Sequence, residues 1–242
     1  MSEKKSSDEF SVYQWVATIP LCDDLWLGMQ AQNVAIVDMT IMRHIEHDAL
    51  EEYFKDDSFS MPTLQVLSAL SQMWIFSFYE FLRTWRQRAR TLTGFADKLT
   101  ALQTDKEREA YLKEITDGVK QKARFVKIAP VFYLDHVARV ADVAFIKSIR
   151  DYWDATEDLF RDVEAIRMPL AKHEIAGTNK EKLIAEAPGY GRVSYFTGSM
   201  YWQIALTDNT VTVVERRRLA NKFLNLKDED DIDEDAVAET DK

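Results

Sequence analysis

"MPTLQVLSALSQMWIFSFYEFL", residues 61–82, is the most apolar run in the chain, and its reading decides the fold. Gln65, Ser68, Ser71, Gln72 and Glu80 interrupt it, so a buried helix accounts for it better than a membrane span. Ser60 is placed to cap that helix and Pro62 to sit in its first turn, while Gly94 is placed to end it. The spacing therefore predicts a helix over about 62–93. Its Trp, Phe and Leu content predicts that it lies at the centre of a bundle, with Trp74, Phe76 and Phe78 in the core.

The rest of the chain supports a mostly α fold. There are only seven glycines and five prolines in 242 residues, with no glycine between residues 29 and 93 or between 119 and 176. N-terminal to the central helix, residues 1–9 read as disordered and "FSVYQWVATI" (10–19) as extended, before Pro20 and a "CDD" turn. A first helix is expected from about 32 to 55, because Val34, Val37, Ile41 and Ile45 form an apolar stripe; "DDSFSMP" breaks it. Residues 97–127 are more polar and read as one or two shorter helices with a break near Gly118. From Pro130 the stripe Leu134, Val137, Ala141, Phe145, Ile149, Tyr152, Leu159, Val163 and Ile166 predicts a helix approaching forty residues. Pro169 should kink or restart it, since proline lacks the N–H donor and its ring meets the carbonyl of Ala165, at about 3 kcal/mol. After Gly177, "NKEKLIAEA" (179–187) reads as a short helix, and residues from about 190 to 215 as a small antiparallel β meander with turns at "TGS" and "TDN". "RRRLANKFLNL" closes as a short helix. The expected organisation is one helical-bundle domain over 10–226, followed by an acidic disordered tail over 227–242.

Charge narrows the partners. The net charge is −10, but the last sixteen residues hold nine acids and two lysines, leaving the body near −3. Within the body the basic residues cluster. Arg83, Arg86 and Arg90 fall on one helical face, and Arg216, Arg217, Arg218 and Lys222 gather near the C-terminus; each group suits either phosphate binding or an ordinary solvated helix face. The single cysteine, Cys22, leaves no disulfide framework, and "MSEKKSSDEF" lacks the apolar core of a signal peptide, so a cytoplasmic location with no membrane anchor is expected.

Several chemistries lack their usual motif. No GxGxxG, P-loop, GxSxG elbow or CxxC is present. His44, His47, Asp48 and Glu51 share one helical face and offer nitrogen and oxygen ligands, but nothing in the sequence clearly completes a shell, so no metal and no cofactor are expected. What remains is "EAIRMPLAKHE", in which Arg167 is followed by His173. In a straight helix the two would point about 120° apart and lie about 9 Å apart along the axis; a break at Pro169 would let them converge.

A long helical bundle ending in Arg and, a few residues later, His resembles the HEPN superfamily, the "higher eukaryotes and prokaryotes nucleotide-binding" proteins. The resemblance covers about residues 32–176 in helix pattern, with Arg167 and His173 as its specific part and Glu80 as the acidic partner. It implies a metal-independent RNase of a toxin or phage-defence type, a nucleotide binder, or a catalytically silent partner, with an antitoxin-like protein among its associates. The position after the arginine is often Asn in active members; here it is Met168, followed by Pro169, and the terminal meander lies outside the minimal bundle.

The chemistry follows from the side chains themselves. A neutral imidazole with its ordinary pKa of about 6.5 can take the proton of an RNA 2′-hydroxyl, which then attacks the adjacent phosphorus. Arg167, fork-shaped and always charged, suits the developing charge on the phosphate oxygens, with Glu80 orienting it or His173. The leaving 5′-oxygen needs a second proton donor, which a homodimer with a composite cleft would supply. Arg83, Arg86, Arg90 and Lys172 are the expected RNA-binding residues. Two other readings stand beside this one. Arg167 can pair with Glu164 or another acid while Lys172 and His173 complement a helix C-terminus. Alternatively, the chain is a non-catalytic RNA-binding or protein-interaction module.

Overall fold

The computed structural model describes residues 10–122, 129–172, 184–185, 191–205 and 211–226. The two expected disordered ends and His173 lie outside the described residues. The chain is mostly α: α1 (Val12–Thr18), α2 (Leu25–Val37), a π-helical turn (Asp38–Met42), α3 (Arg43–Asp56), α4 (Met61–Ala101), α5 (Asp105–Lys122), α6 (Ala129–Ala138), α7 (Val143–Ala155), α8 (Glu157–Lys172) and α9 (Arg216–Leu224). Strands β1 (Ile184–Ala185), β2 (Arg192–Val193), β3 (Met200–Ala205) and β4 (Val211–Glu215) form a small antiparallel sheet. No helix among the described residues is long and apolar enough to cross a membrane. The fold comprises two compact units, one of Met1–Asn33 with Arg83–Ala155 and the other of Val34–Leu82 with Thr156–Lys242.

The first unit is built around Trp85, whose indole N–H donates to the Pro20 carbonyl at 2.7 Å and whose ring lies 4.8 Å from that of Tyr152. Residues 12–18 are helical, not extended as expected. Ser11 caps them, and Trp15, Val16 and Ile19 are all buried, a helical spacing that overrides their β-branched and aromatic composition. Helix α2 starts at Leu25, earlier than the expected residue 32, because the Asp24 carboxylate accepts the N–H groups of Trp26 and Leu27 at 2.9 and 3.0 Å. The expected forty-residue helix is three. Asp142 caps α7 by accepting from Ala144 and Phe145, and a second break falls at Thr156. Neither break uses Gly or Pro, so the apolar stripe runs across both.

Two glycines expected to end helices do not. Helix α4 continues through Gly94 to Ala101, and α5 through Gly118 to Lys122. A Cβ at either glycine would meet nothing within 4 Å, so no backbone constraint is tied to them. The actual break lies at Leu102–Thr104, where Thr104 and Glu107 form a reciprocal capping box.

The second unit holds the first half of α4 against α9. Phe223 lies 4.4 Å from Phe78 and 5.5 Å from Phe81, and the Trp74 indole donates to the Val34 carbonyl at 3.1 Å. Trp74 and Phe78 are buried as expected; Phe76 is only half-buried. Ser60 does cap α4, accepting from Thr63. The expected stripe through Ile41 and Ile45 is not the buried face: Ile41 is exposed, and Asp38, Met42, Glu46 and Ala49 are buried instead. The π-turn at 38–42 adds a residue to the repeat and rotates the inward face onto two acids. Helix α8 stays helical across Pro169 to Lys172, contrary to the expected kink or restart. One missing N–H near the described end of the helix removes one bond and leaves the preceding turns intact.

In the sheet, β3 is central. β4 pairs along one side, with Tyr201 opposite Glu215 and Ala205 opposite Val211. On the other side β2 and β1 pair with opposite ends of β3. This is the expected meander with one addition: Ile184 and Ala185, expected in a helix, are the strand β1; the rest of 179–187 and the expected "TDN" turn lie outside the described residues. Pairing to the free edge of β3 outweighs the helical composition around them. The β2–β3 turn needs Gly198, with φ +68° and its Cα so near α3 that a Cβ would sit 2.1 Å from the Glu46 carbonyl oxygen.

Candidate functional site

Helix periodicity places Phe76, Tyr79 and Glu80 at i, i+3 and i+4 on α4, where they meet Arg167 of α8. The Arg167 guanidinium lies 4.8 Å from the Tyr79 ring centroid and 5.9 Å from that of Phe76. Its Nη2 is 3.6 Å from Glu80 Oε1, and Nη1 donates weakly to the Met168 sulfur at 3.3 Å. The Tyr79 hydroxyl donates to Glu164 at 3.5 Å. Aromatic rings thus orient the fork, while Glu80 balances its charge without clasping it. The side chains of Arg167 and Glu80 are 26% and 43% exposed, so an incoming anion can reach the guanidinium. The Arg167 Nε, though buried, has no hydrogen-bond partner among the described residues.

Of the expected site residues, Arg167 and Glu80 are brought together. Lys172 is the last described residue of α8, its side chain outside the description, and His173 lies beyond. Arg83 and Arg90 are exposed on α4, but Arg86 is buried: it donates to the Trp153 carbonyl at 3.2 Å and stacks 4.3 Å from the Trp153 ring centroid. The three arginines do not form one solvent-facing stripe.

The C-terminal arginines are placed otherwise. Arg216 is fully buried, bonded to Glu46 through Nε at 2.6 Å and Nη2 at 2.8 Å, and to Asp38 through Nη1 at 2.5 Å. Burial opposes its charge, but Glu46 and Asp38 outweigh that and raise its pKa above the ordinary value. Arg217 donates to Glu46 at 2.8 Å, and Arg43 bridges Asp38 at 2.9 Å and Asn221 at 2.5 Å. This cluster fastens α9 to the π-turn and α3. Neither of the two readings of "RRR" describes it, because nothing in the spacing of Asp38 and Glu46 marks them as the buried partners. Only Arg218, paired with Glu215 at 3.6 Å, remains exposed.

His47 pairs with Glu51 at 3.3 Å on the exposed face of α3, and no group of three or more potential metal-ligating side chains occurs among the described residues. In the first unit, Asp23 accepts from His136 at 2.7 Å and from Arg139 at 2.8 Å. Hydrogen bonding from His136, aided by its charge and that of Arg139 and opposed by burial, pulls the Asp23 pKa down to about 2. The His136 ring is buried and held by Asp23, so the pair reads as structural.

Compared with known proteins, the chain matches no family model, no curated protein and no solved structure.

Proposed function

We propose that this chain is a metal-independent endoribonuclease of HEPN-like type, in which Arg167 stabilises the charge on a scissile phosphate while His173 takes the 2′-hydroxyl proton. The observation that supports it most is the meeting of Arg167 with Glu80: two residues distant in sequence, matched from their types, lie 3.6 Å apart on a partly exposed surface. That arrangement keeps a charged fork oriented by Tyr79 and Phe76 and open to an anion. A second copy of the chain in a homodimer would supply the proton for the leaving 5′-oxygen. The family resemblance adds a cytoplasmic toxin or phage-defence setting and an antitoxin-like partner.

The test is cleavage of a mixed RNA pool in EDTA by the unaltered chain, Arg167→Ala and His173→Ala. Loss of cleavage in both variants, with 2′,3′-cyclic phosphate ends from the parent, supports the reading. Activity surviving both substitutions overturns it. A second reading, a protein-interaction module, is favoured by the aromatic cluster at the end of α3. Tyr53, Phe59 and Tyr195 pack with ring centroids 4.8 to 5.9 Å apart, and Phe54 and Phe196 beside them in sequence are strongly exposed. Absence of cleavage together with co-purification of a partner that is lost on Phe54→Ser and Phe196→Ser would select it.

A further inference from the structure

The first unit contains a cavity of about 290 Å³ between α4 and α7, walled by Arg90, Thr93, Ile149, Arg150, Trp153 and Asp154. Its lining combines a flat aromatic surface, two guanidiniums and one carboxylate. Trp153 is held in place by Arg86, which stacks on the indole and bonds to the residue's own carbonyl. Thr93 contributes little polarity, because its hydroxyl donates back to the Ala89 carbonyl at 3.0 Å.

The charges are available. Arg90 is exposed, pairs with no carboxylate among the described residues, and lies 5.8 Å from the Trp153 ring centroid. Arg150 meets Asp97 through one 2.5 Å contact, with both side chains more than half exposed, a pairing that an incoming phosphate exchanges at small cost. Asp154 is exposed and forms no ion pair among the described residues.

A ligand that satisfies all of this needs a flat π face, an anionic group and an edge of N–H donors. We propose that the cavity binds a guanine nucleotide, its base against Trp153, its phosphate at Arg90 and Arg150, and its Watson–Crick edge on Asp154. Guanine is selected by chemistry: its N1–H and N2–H are adjacent donors that match the two oxygens of a carboxylate. Adenine and cytosine place an acceptor nitrogen beside their amino group, and uracil flanks its one N–H with two carbonyls, so each of these turns a lone pair toward Asp154. The volume falls just under the usual range of small-molecule sites, about 300–1,000 Å³, which limits the occupant to a single nucleotide. Whether that nucleotide is free or part of an RNA strand is a separate matter, and only the second source rests on the ribonuclease reading.

The experiment uses the full chain carrying Arg167→Ala, so that binding is read without cleavage. GMP, AMP, CMP and UMP are titrated calorimetrically, and the heptanucleotides UUUGUUU and UUUUUUU by fluorescence anisotropy. A preference for GMP of about 5- to 100-fold is expected, as for a bidentate base contact. Asp154→Asn should flatten that preference, and Arg90→Ala should weaken GMP but not guanosine. Trp153→Leu should weaken every base by about 5- to 100-fold, the effect of losing one stacking surface. Because Trp153→Leu also releases Arg86, the two exposed substitutions decide the matter if that variant loses its fold. Tighter binding of UUUGUUU than of GMP assigns the site to a strand, and equal binding assigns it to the free nucleotide. Equal affinity for all four nucleotides, or a GMP preference unchanged by Asp154→Asn and Arg90→Ala, overturns the proposal. The two readings fail separately: guanine preference with no RNA cleavage by the unaltered chain sinks only the ribonuclease, and cleavage without guanine preference sinks only the pocket.

Discussion

Arg216 meets Glu46 through two hydrogen bonds of 2.6 and 2.8 Å with neither side chain exposed, whereas Arg167 meets Glu80 at 3.6 Å with both partly open to solvent. The residue types are the same and the consequences differ. In the buried cluster each Arg216 nitrogen bonds to Glu46 or Asp38, and the side chain has no exposed surface at which a ligand could reach it. At Arg167 the carboxylate compensates charge but leaves the fork free to turn toward an anion. Burial, more than residue identity, separates a charge that holds the fold from one that can do chemistry.

The largest expected effect is at the buried end of this contrast. Arg216→Met leaves two buried carboxylates short of a partner and should lower stability by about 3–5 kcal/mol, measured by urea denaturation. Adding Glu46→Leu should return part of that loss, because the two replacements remove opposite charges together. A double variant as unstable as the sum of the singles would show that the cluster is not coupled. Next comes Gly198→Ala, which strains a backbone at φ +68° and drives a methyl against the Glu46 carbonyl; a loss of about 1–3 kcal/mol is expected by the same measurement.

A smaller effect belongs to Asp23, whose side chain is 54% exposed while that of its partner His136 is buried. Its folded pKa of about 2 lies below the ordinary 3.8, so its pairing with His136 adds stability above about pH 4 that is lost as pH falls toward 2. Asp23→Asn should therefore be less stable than the parent at pH 6, with the gap closing between about pH 4 and 2. A gap that stays constant through that window would remove the carboxylate from the account.

The same contrast explains what the sequence made legible. The mostly α class, the Ser60 cap, the meander and the buried Trp74 and Phe78 follow from local periodicity and turn chemistry, which operate within a few residues. Glu80 was singled out only through the family resemblance, as an acid on an apolar helix, and the structure brings it to 3.6 Å from Arg167. The buried face of α3 was not, since the π-turn shifts its register and Asp38 and Glu46 look like solvent-facing acids until Arg216 and Arg217 arrive from the far end of the chain. Arg86 misled for the converse reason: helical spacing gave its angular position, but Trp153, the ring that buries it, lies on another helix. The helix breaks at Asp142 and Thr156 were hidden by a stripe that continues in phase through both.

The smallest stability effect is expected at Arg167, and it is the most informative. Arg167→Ala removes a 3.6 Å ion pair and a stacked guanidinium at a partly exposed position, which together should cost about 1 kcal/mol. Arg167→Lys separates a structural from a chemical role. A lysine keeps the positive charge beside Glu80 and restores most of that stability, but it presents a point charge where the guanidinium presents a fork. If Arg167 only balances Glu80, the lysine variant should behave as the parent in both stability and RNA cleavage. If it grips a phosphate, stability should return while cleavage stays low. Glu80→Ala completes the argument: it should leave the charge in place and lower cleavage less than Arg167→Ala does, because Tyr79 and Phe76 still orient the fork.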